Sequence, residues 1–458
     1  MSLTRQDPEL ERPIEDRSQL IDFFRAGEKP PERWRVGTEH EKVGLYERTL
    51  EPVPYEGSRG IGALLAKLHR DHGFEPLVDG GKLVGLEKEG ATITLEPGGQ
   101  LELSGAPLRT MHETCREFRD HLALMKHVSE EFGIVWLGLG MHPLASVDEL
   151  PRMPRERHEI MRDVLEKRGK LALEMMHATG CVQANFDFAS EPDMARKLRL
   201  AMAASPVVTA LFANSSISEG KANGFESMRA WIWRHTDPDR CGLLPFVFED
   251  AFLEGRAYES YAAWALDVPT LFIQRGERHI PLRGLRFRDY LERGHADETA
   301  TLADWAIHLT TLFPEVRLKR IIEVRGADAV PPDLVCALSA LWKGLLYDEE
   351  SRERSFERVR AWTFEEVDRM HADVARCGLS AVGPDASVLE LARELVELSA
   401  QGLRRIGLRS SAGEDESLLL EPLFEIADRG TSPGRELVAH WEGAWDRRIE
   451  RLVEYAKY

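Results

Sequence analysis

Cysteine is scarce in this chain. There are five among 458 residues (Cys115, Cys181, Cys241, Cys336 and Cys377), an odd number with no C-x-x-C spacing. That argues against a disulfide-stapled secreted scaffold, a zinc ribbon and a thioredoxin-type centre. A thiol-reducing cytoplasm is the expected location. Positive charge is also in deficit: 60 Lys and Arg face 78 Asp and Glu, for a formal net charge of −18. A nucleic-acid partner would require a basic surface, so none is expected. No apolar run approaches the length of a membrane span, and Met1 to Arg17 lacks the hydrophobic centre of a signal peptide. Standard catalytic signatures are missing too: no G-x-x-x-x-G-K-[ST] loop, no G-x-G-x-x-G after a strand, no H-E-x-x-H and no G-x-S-x-G. Any nucleotide chemistry must therefore run through metals held by carboxylates.

The chain does carry carboxylates on extended segments. In Gly37-Thr38-Glu39-His40-Glu41-Lys42 the side chains of Glu39 and Glu41 share one face, because side chains two apart on a strand point the same way. His40 points away and is read as structural. In Leu95-Glu96-Pro97-Gly98-Gly99-Gln100-Leu101-Glu102-Leu103 the pair Gln100 and Glu102 does the same. The Pro-Gly-Gly step leaves open which way Glu96 faces. Carboxylates this close repel and raise each other's pKa unless a cation neutralises them. Mg²⁺ prefers carboxylate oxygens and substrate phosphates. A solvated strand face is the competing reading of any one such pair, and recurrence tips the balance.

Two further strands carry the pattern. Gln183, Asn185 and Asp187 share a face opposite Val182, Ala184, Phe186 and Phe188, and Ile321, Glu323 and Arg325 share one opposite Ile322 and Val324. Four polar-faced strands predict an α+β fold: an antiparallel sheet with helices on one side and a polar cavity on the other. Apolar spacing predicts helices over 60–72 and 108–132, with Cys115 on the buried stripe of the second. A charged helical region is expected over 153–173, and mainly helix from about 340 to 458, with Leu391, Leu395 and Leu398 on one stripe. With no flexible linker and no internal repeat, residues 1–458 are read as a single catalytic domain.

At this point the residues resemble a known family. Gly37 to Lys42, Glu96 to Gly105, Gly138-Leu139-Gly140, Leu211 to Ser215, Ser227-Met228-Arg229, Leu244 to Phe248, Phe313 to Arg320 and Glu323 to Asp328 closely resemble, in order, glutamate–cysteine ligase of the plant and proteobacterial type. The resemblance implies a glutamine synthetase-like fold, in which a curved antiparallel sheet forms a funnel with helices outside. It implies the first step of glutathione biosynthesis, in which ATP and Mg²⁺ drive γ-glutamylcysteine formation from L-glutamate and L-cysteine through γ-glutamyl phosphate. It implies metal ligation by Glu39, Glu41, Glu96, Glu102 and Glu323, and substrate contacts from Arg157, Arg229, Gln183 and Asn185. ATP contacts fall to Lys319, Arg320 and Arg325, and catalytic roles to Arg325, Glu323 and Arg229. Each has a plainer alternative: an exposed helix charge for Arg157, a solvated pair for Lys319 and Arg320, an ion pair for Arg325 with Glu323.

Plant members carry a regulatory disulfide that matches Cys115 and Cys336, while reduced, packed thiols are the reading preferred for a reducing compartment. The plastid transit segment of plant members has no counterpart here, which fits a bacterial cytosolic enzyme. A monomer is expected, with a homodimer as the alternative. Other amine acceptors, or a non-catalytic nucleotide- or metal-binding regulator, are the rival functions. Replacing Glu39 or Glu323 by Ala is expected to abolish turnover and leave the fold intact.

Overall fold

The computed structural model describes residues 9–458. Part of the polar segment Met1 to Arg17 therefore lies outside the described residues. Nine strands form one open sheet: β1 (Val36–Tyr46), β2 (Glu75–Asp79), β3 (Lys82–Lys88), β4 (Ala91–Leu95), β5 (Leu101–Ser104), β6 (Ile134–Leu137), β7 (Cys181–Phe186), β8 (Val316–Leu318) and β9 (Ile322–Asp328). The order is β8-β9-β7-β1-β5-β4-β3-β2, with β6 on the far half of β1, and neighbours run antiparallel. The four strands with polar faces, β9, β7, β1 and β5, are consecutive in this order.

The helical side of the sheet is apolar. Val182, Ala184 and Phe186 are fully buried there. The helices Met111–Glu130 and Pro332–Tyr347 cover this side, and the Thr38 hydroxyl meets that of Ser339 at 2.7 Å. The first of them starts at a capping box of Thr110 and Glu113, three residues later than the apolar spacing alone implies. The structure joins Cys115 and Cys336 of these two helices as a disulfide, with Cα atoms 5.8 Å apart. The preference for two separate reduced thiols is thereby corrected: the helices share a packing face, which brings together cysteines 221 positions apart.

The expected helix over 153–173 is two helices, Glu156–Leu165 and Ala172–Ala178. The helix Glu191–Leu211 carries no amphipathic signal, because nearly all of it is buried. A helix wrapped on all sides has no polar face for periodicity to find. The chain from about 340 to 458 is mainly helical as expected, and Leu391, Leu395 and Leu398 belong to the same buried cluster as Phe24, Phe186 and Trp342. That shared core runs from the N-terminal helix through the sheet to the C-terminal helices. Among the described residues no helix is long and apolar enough to cross a membrane.

Candidate active site

The polar face of β9-β7-β1-β5 opens into a cavity of about 820 Å³. Register decides who meets there. Glu41 on β1 sits opposite Glu102 on β5, and Glu39 opposite Gln183 on β7. Glu323 on β9 sits opposite Asn185 on β7 and Arg317 on β8. The Pro97-Gly98-Gly99 step resolves as a tight turn in which the Glu96 amide donates to the Gln100 carbonyl at 2.9 Å. Gly99 holds φ +88°, a left-handed conformation that glycine adopts without strain. Glu96 thereby falls on the face of Glu102, and both line the cavity with Glu39 and Glu41.

Neighbouring strands orient these carboxylates. Asn185 Nδ2 donates to Glu39 Oε1 at 2.8 Å. Thr94 and Ser104 hydroxyls donate to the two oxygens of Glu102 at 2.7 and 3.1 Å. Cys181 serves Glu41 twice, its amide donating to Oε2 at 2.9 Å and its thiol to Oε1 at 3.0 Å. Burial, followed by repulsion from Glu96 and Glu102, pushes the Glu41 carboxyl up to about 8. Burial and Glu102 raise Glu96 as well, against the pull of Arg157 and Arg155. Among the described residues no three metal-binding side chains yet converge as a coordination shell. The donors are nonetheless those of a hard-cation site, with oxygen ligands on one face and mutual repulsion that a divalent ion would relieve.

The opposite end of the cavity is cationic. Arg317 reaches Glu323 at 2.6 Å, and Lys319 and Arg325 close on the same carboxylate. Burial alone would raise Glu323, yet Arg317, Lys319 and Arg325 outweigh it and hold the group well below the usual carboxylate range. Arg317 is further fixed by the carbonyls of Thr310 and Leu312, at 2.7 and 2.9 Å. Arg325 also donates to Gln183 Oε1 at 2.7 Å and lies near the rings of Trp233 and Phe313.

Arg229 is held from behind. Its amide donates to the Ser215 hydroxyl at 3.0 Å, and Ser215 and Ser227 donate to the buried Asp328 carboxylate at 2.6 and 2.9 Å. Gly140 of the Gly138-Leu139-Gly140 motif lies against Asp328, where an added Cβ would come within 2.5 Å. The guanidinium of Arg229 donates to the Arg325 carbonyl at 2.7 Å. Arg157 lies over Phe272 with its Nε unbonded, and burial beside Arg155 lowers it to about 10. Arg320 lines the cavity and stacks on Phe23 at 4.5 Å.

Of the residues expected at the site, Glu39, Glu41, Glu96, Glu102, Arg157, Gln183, Arg229, Arg320 and Arg325 line the cavity. Asn185, Lys319 and Glu323 lie behind its wall. Glu323 is fully buried, because a carboxylate clasped by three cations has no face left for solvent. The plainer reading of Lys319 and Arg320 as a solvated pair does not hold, since Lys319 is 4% exposed. His40 packs against Phe118, His121 and Tyr458 on the helical side, as strand alternation requires. Sequence reasoning missed Arg317, Arg155 and Cys181. Arg317 was visible as the residue two before Lys319 on an alternating strand. Cys181 carried no signal beyond its strand.

A family model described as Glutamate-cysteine ligase family 2 (GCS2) matches residues 35–455. The chain belongs to this family. The chloroplastic glutamate–cysteine ligase of Medicago truncatula is 42% identical over 442 residues, spanning 96% of this chain and 84% of that one. The chloroplastic glutamate–cysteine ligase B of Oryza sativa subsp. japonica is 42% identical over 458 residues, spanning 99% and 90%. A crystal structure of glutamate–cysteine ligase from Francisella tularensis in complex with AMP aligns with a TM-score of 0.54 at 11% identity, over 92% of this chain and 88% of that one. That likeness is one of fold. The cytoplasmic placement is overturned by these relatives of the GCS2 chain, which are named chloroplastic. Cysteine usage and charge do not tell one compartment from another.

Proposed function

We propose that this GCS2 chain is an ATP-dependent glutamate–cysteine ligase. It joins the γ-carboxylate of L-glutamate to the amine of L-cysteine through γ-glutamyl phosphate, in the first step of glutathione biosynthesis. The observation that carries the reading is one cavity lined by Glu39, Glu41, Glu96 and Glu102 together with Arg157, Arg229, Arg317 and Arg325.

Glu39, Glu41, Glu96 and Glu102 would hold Mg²⁺ together with the nucleotide phosphates. A cation held there would supply positive charge to offset that developing on the transferring phosphoryl group. Arg157 and Arg229 grip substrate carboxylates, for which a planar guanidinium offers two parallel donors. Arg325 faces the transferring phosphate, and Glu323 acts from behind the wall as the anion that arrays Arg317, Lys319 and Arg325. The glutamate γ-carboxylate takes the γ-phosphoryl group of ATP and ADP leaves; the cysteine amine then attacks the acyl carbon, sheds a proton, and phosphate leaves. Catalysis is chiefly positioning and preorganised charge. We read residues 1–458 as one catalytic domain, supported by the core shared between sheet and C-terminal helices. We read the chain as a monomer, which sedimentation of the purified protein tests.

The deciding experiment is ADP release with glutamate, cysteine and Mg²⁺ supplied together and singly, with the product weighed by mass spectrometry. γ-Glutamylcysteine formed only with all three supports the reading. Equal ADP release with another amino acid in place of cysteine would reassign the acceptor, and no ADP release under any combination would remove the ligase proposal.

A further inference from the structure

The acidic and cationic ends of the cavity are joined by a hydrogen-bonded chain. Arg325 Nη1 donates to Gln183 Oε1 at 2.7 Å, and Gln183 Nε2 donates to Cys181 Sγ at 2.9 Å. The Cys181 thiol donates to Glu41 Oε1 at 3.0 Å while its amide takes Oε2 at 2.9 Å. Arg325, Gln183 and Cys181 are buried, the last two at 6% and 4% exposure, and Glu41 is partly buried. The amide directions allow little else: with the Gln183 oxygen committed to Arg325, its NH₂ faces the sulfur. The sulfur thus accepts from one side and donates to the other.

We infer that Cys181 is a positioning residue for the metal end of the site, fixing the plane of the Glu41 carboxylate, and that Gln183 transmits the position of Arg325 to it. Two donors on two oxygens fix a carboxylate plane as one donor cannot, and groups that orient a ligand in this way tune metal affinity. The relay sets the spacing between the carboxylate end, which takes the cation, and Arg325, which faces the phosphate. Thr94 and Ser104 perform the same orienting task for Glu102 with hydroxyls. At Glu41 a thiol does so, large enough to bridge from Gln183. The inference rests on the reading of Glu41 as part of the Mg²⁺ site.

The test is binding of Mn²⁺ alone to the purified full chain, followed by the electron paramagnetic resonance signal of the free ion, for wild type and for Glu41→Gln, Cys181→Ala, Cys181→Ser and Gln183→Met. Loss of one hydrogen bond to a charged group predicts roughly tenfold weaker Mn²⁺ binding by Cys181→Ala. Cys181→Ser, which keeps a donor and an acceptor, should stay within about twofold of wild type on the same grounds. The Cys181→Ala/Gln183→Met pair should be non-additive, as expected of residues acting in series. Unchanged binding by Cys181→Ala would overturn the inference. Equal losses in the Ala and Ser variants would overturn it too, since packing alone would then explain them. If wild type and Glu41→Gln bind Mn²⁺ alike, the metal reading of Glu41 falls, an outcome distinct from failure of the relay.

Discussion

The two ends of the cavity lie on neighbouring strands of one sheet and treat buried charge in opposite ways. At the cationic end Glu323 is matched by Arg317, Lys319 and Arg325, an ion network complete within the protein. At the acidic end Glu41 faces Glu102 directly across the strand pair, with Glu96 near both, and among the described residues neither Glu41 nor Glu96 is ion-paired. The first arrangement is scaffold, stable on its own and presenting arginines to the cavity. The second carries repulsion that Arg229, Arg155 and Arg157 offset only in part, since burial and neighbouring carboxylates still raise Glu41 and Glu96. On the proposed function the site binds a cation and a phosphate and needs both arrangements, because a self-satisfied acidic end would have no affinity left for a metal.

Three substitutions and one pH series sharpen or break this contrast. The largest effect is expected from Glu323→Gln, which removes the buried carboxylate shared by Arg317, Lys319 and Arg325. A loss of about 3–5 kcal/mol of stability is expected, read as an early denaturant midpoint, together with loss of turnover. This revises the expectation that removing Glu323 spares the fold. A variant as stable as wild type would show that the network is not scaffold.

Glu41→Gln should act in the other direction on stability. Removing a crowded carboxylate should raise metal-free stability by on the order of 1–4 kcal/mol. Its turnover should fall by more than the roughly 10–100-fold typical of a supporting group. A destabilised yet active variant would contradict the account of the acidic end.

Away from both ends, His308 gives a pH signature of burial alone. Its ring sits in the core against Phe287 and Trp305, bonded to the Ala265 carbonyl at 2.7 Å, and burial depresses it to about 3. With the folded-state pKa below the unfolded one, the unfolded chain takes the proton first as pH falls. The contribution is therefore present above about 6.5 and is lost progressively down to about 3. Thermal midpoints taken from pH 7 to pH 4 should fall less steeply in His308→Asn than in wild type, although the variant starts lower. Parallel slopes would refute the assignment.

The smallest change is expected of Thr94→Val, which removes one of the two hydroxyls on Glu102. An Mg²⁺ titration of ADP release should reach half-saturation at roughly fivefold higher Mg²⁺, the equivalent of one hydrogen bond. An unaltered titration would limit orientation by neighbouring strands to Glu41.

Much of this site was legible because strand alternation is local. The spacing of Glu39 and Glu41, and of Glu323 and Arg325, assigns their faces correctly, and His40 is correctly turned away. The helix Glu191–Leu211 was illegible because burial on all sides erases periodicity. The Cys115–Cys336 pair came only through resemblance and was set aside, since nothing local connects positions 221 apart.

The sequence by itself determined which side chains share a face, since that follows from the two-residue repeat of an extended chain. Only the tertiary structure decided which strands are neighbours and in what register. That choice set Glu323 among Arg317, Lys319 and Arg325, put Glu41 opposite Glu102, and brought Cys181 against Glu41. Pairing of strands far apart in the chain is fixed by collective packing and hydrogen bonding, which no single segment encodes.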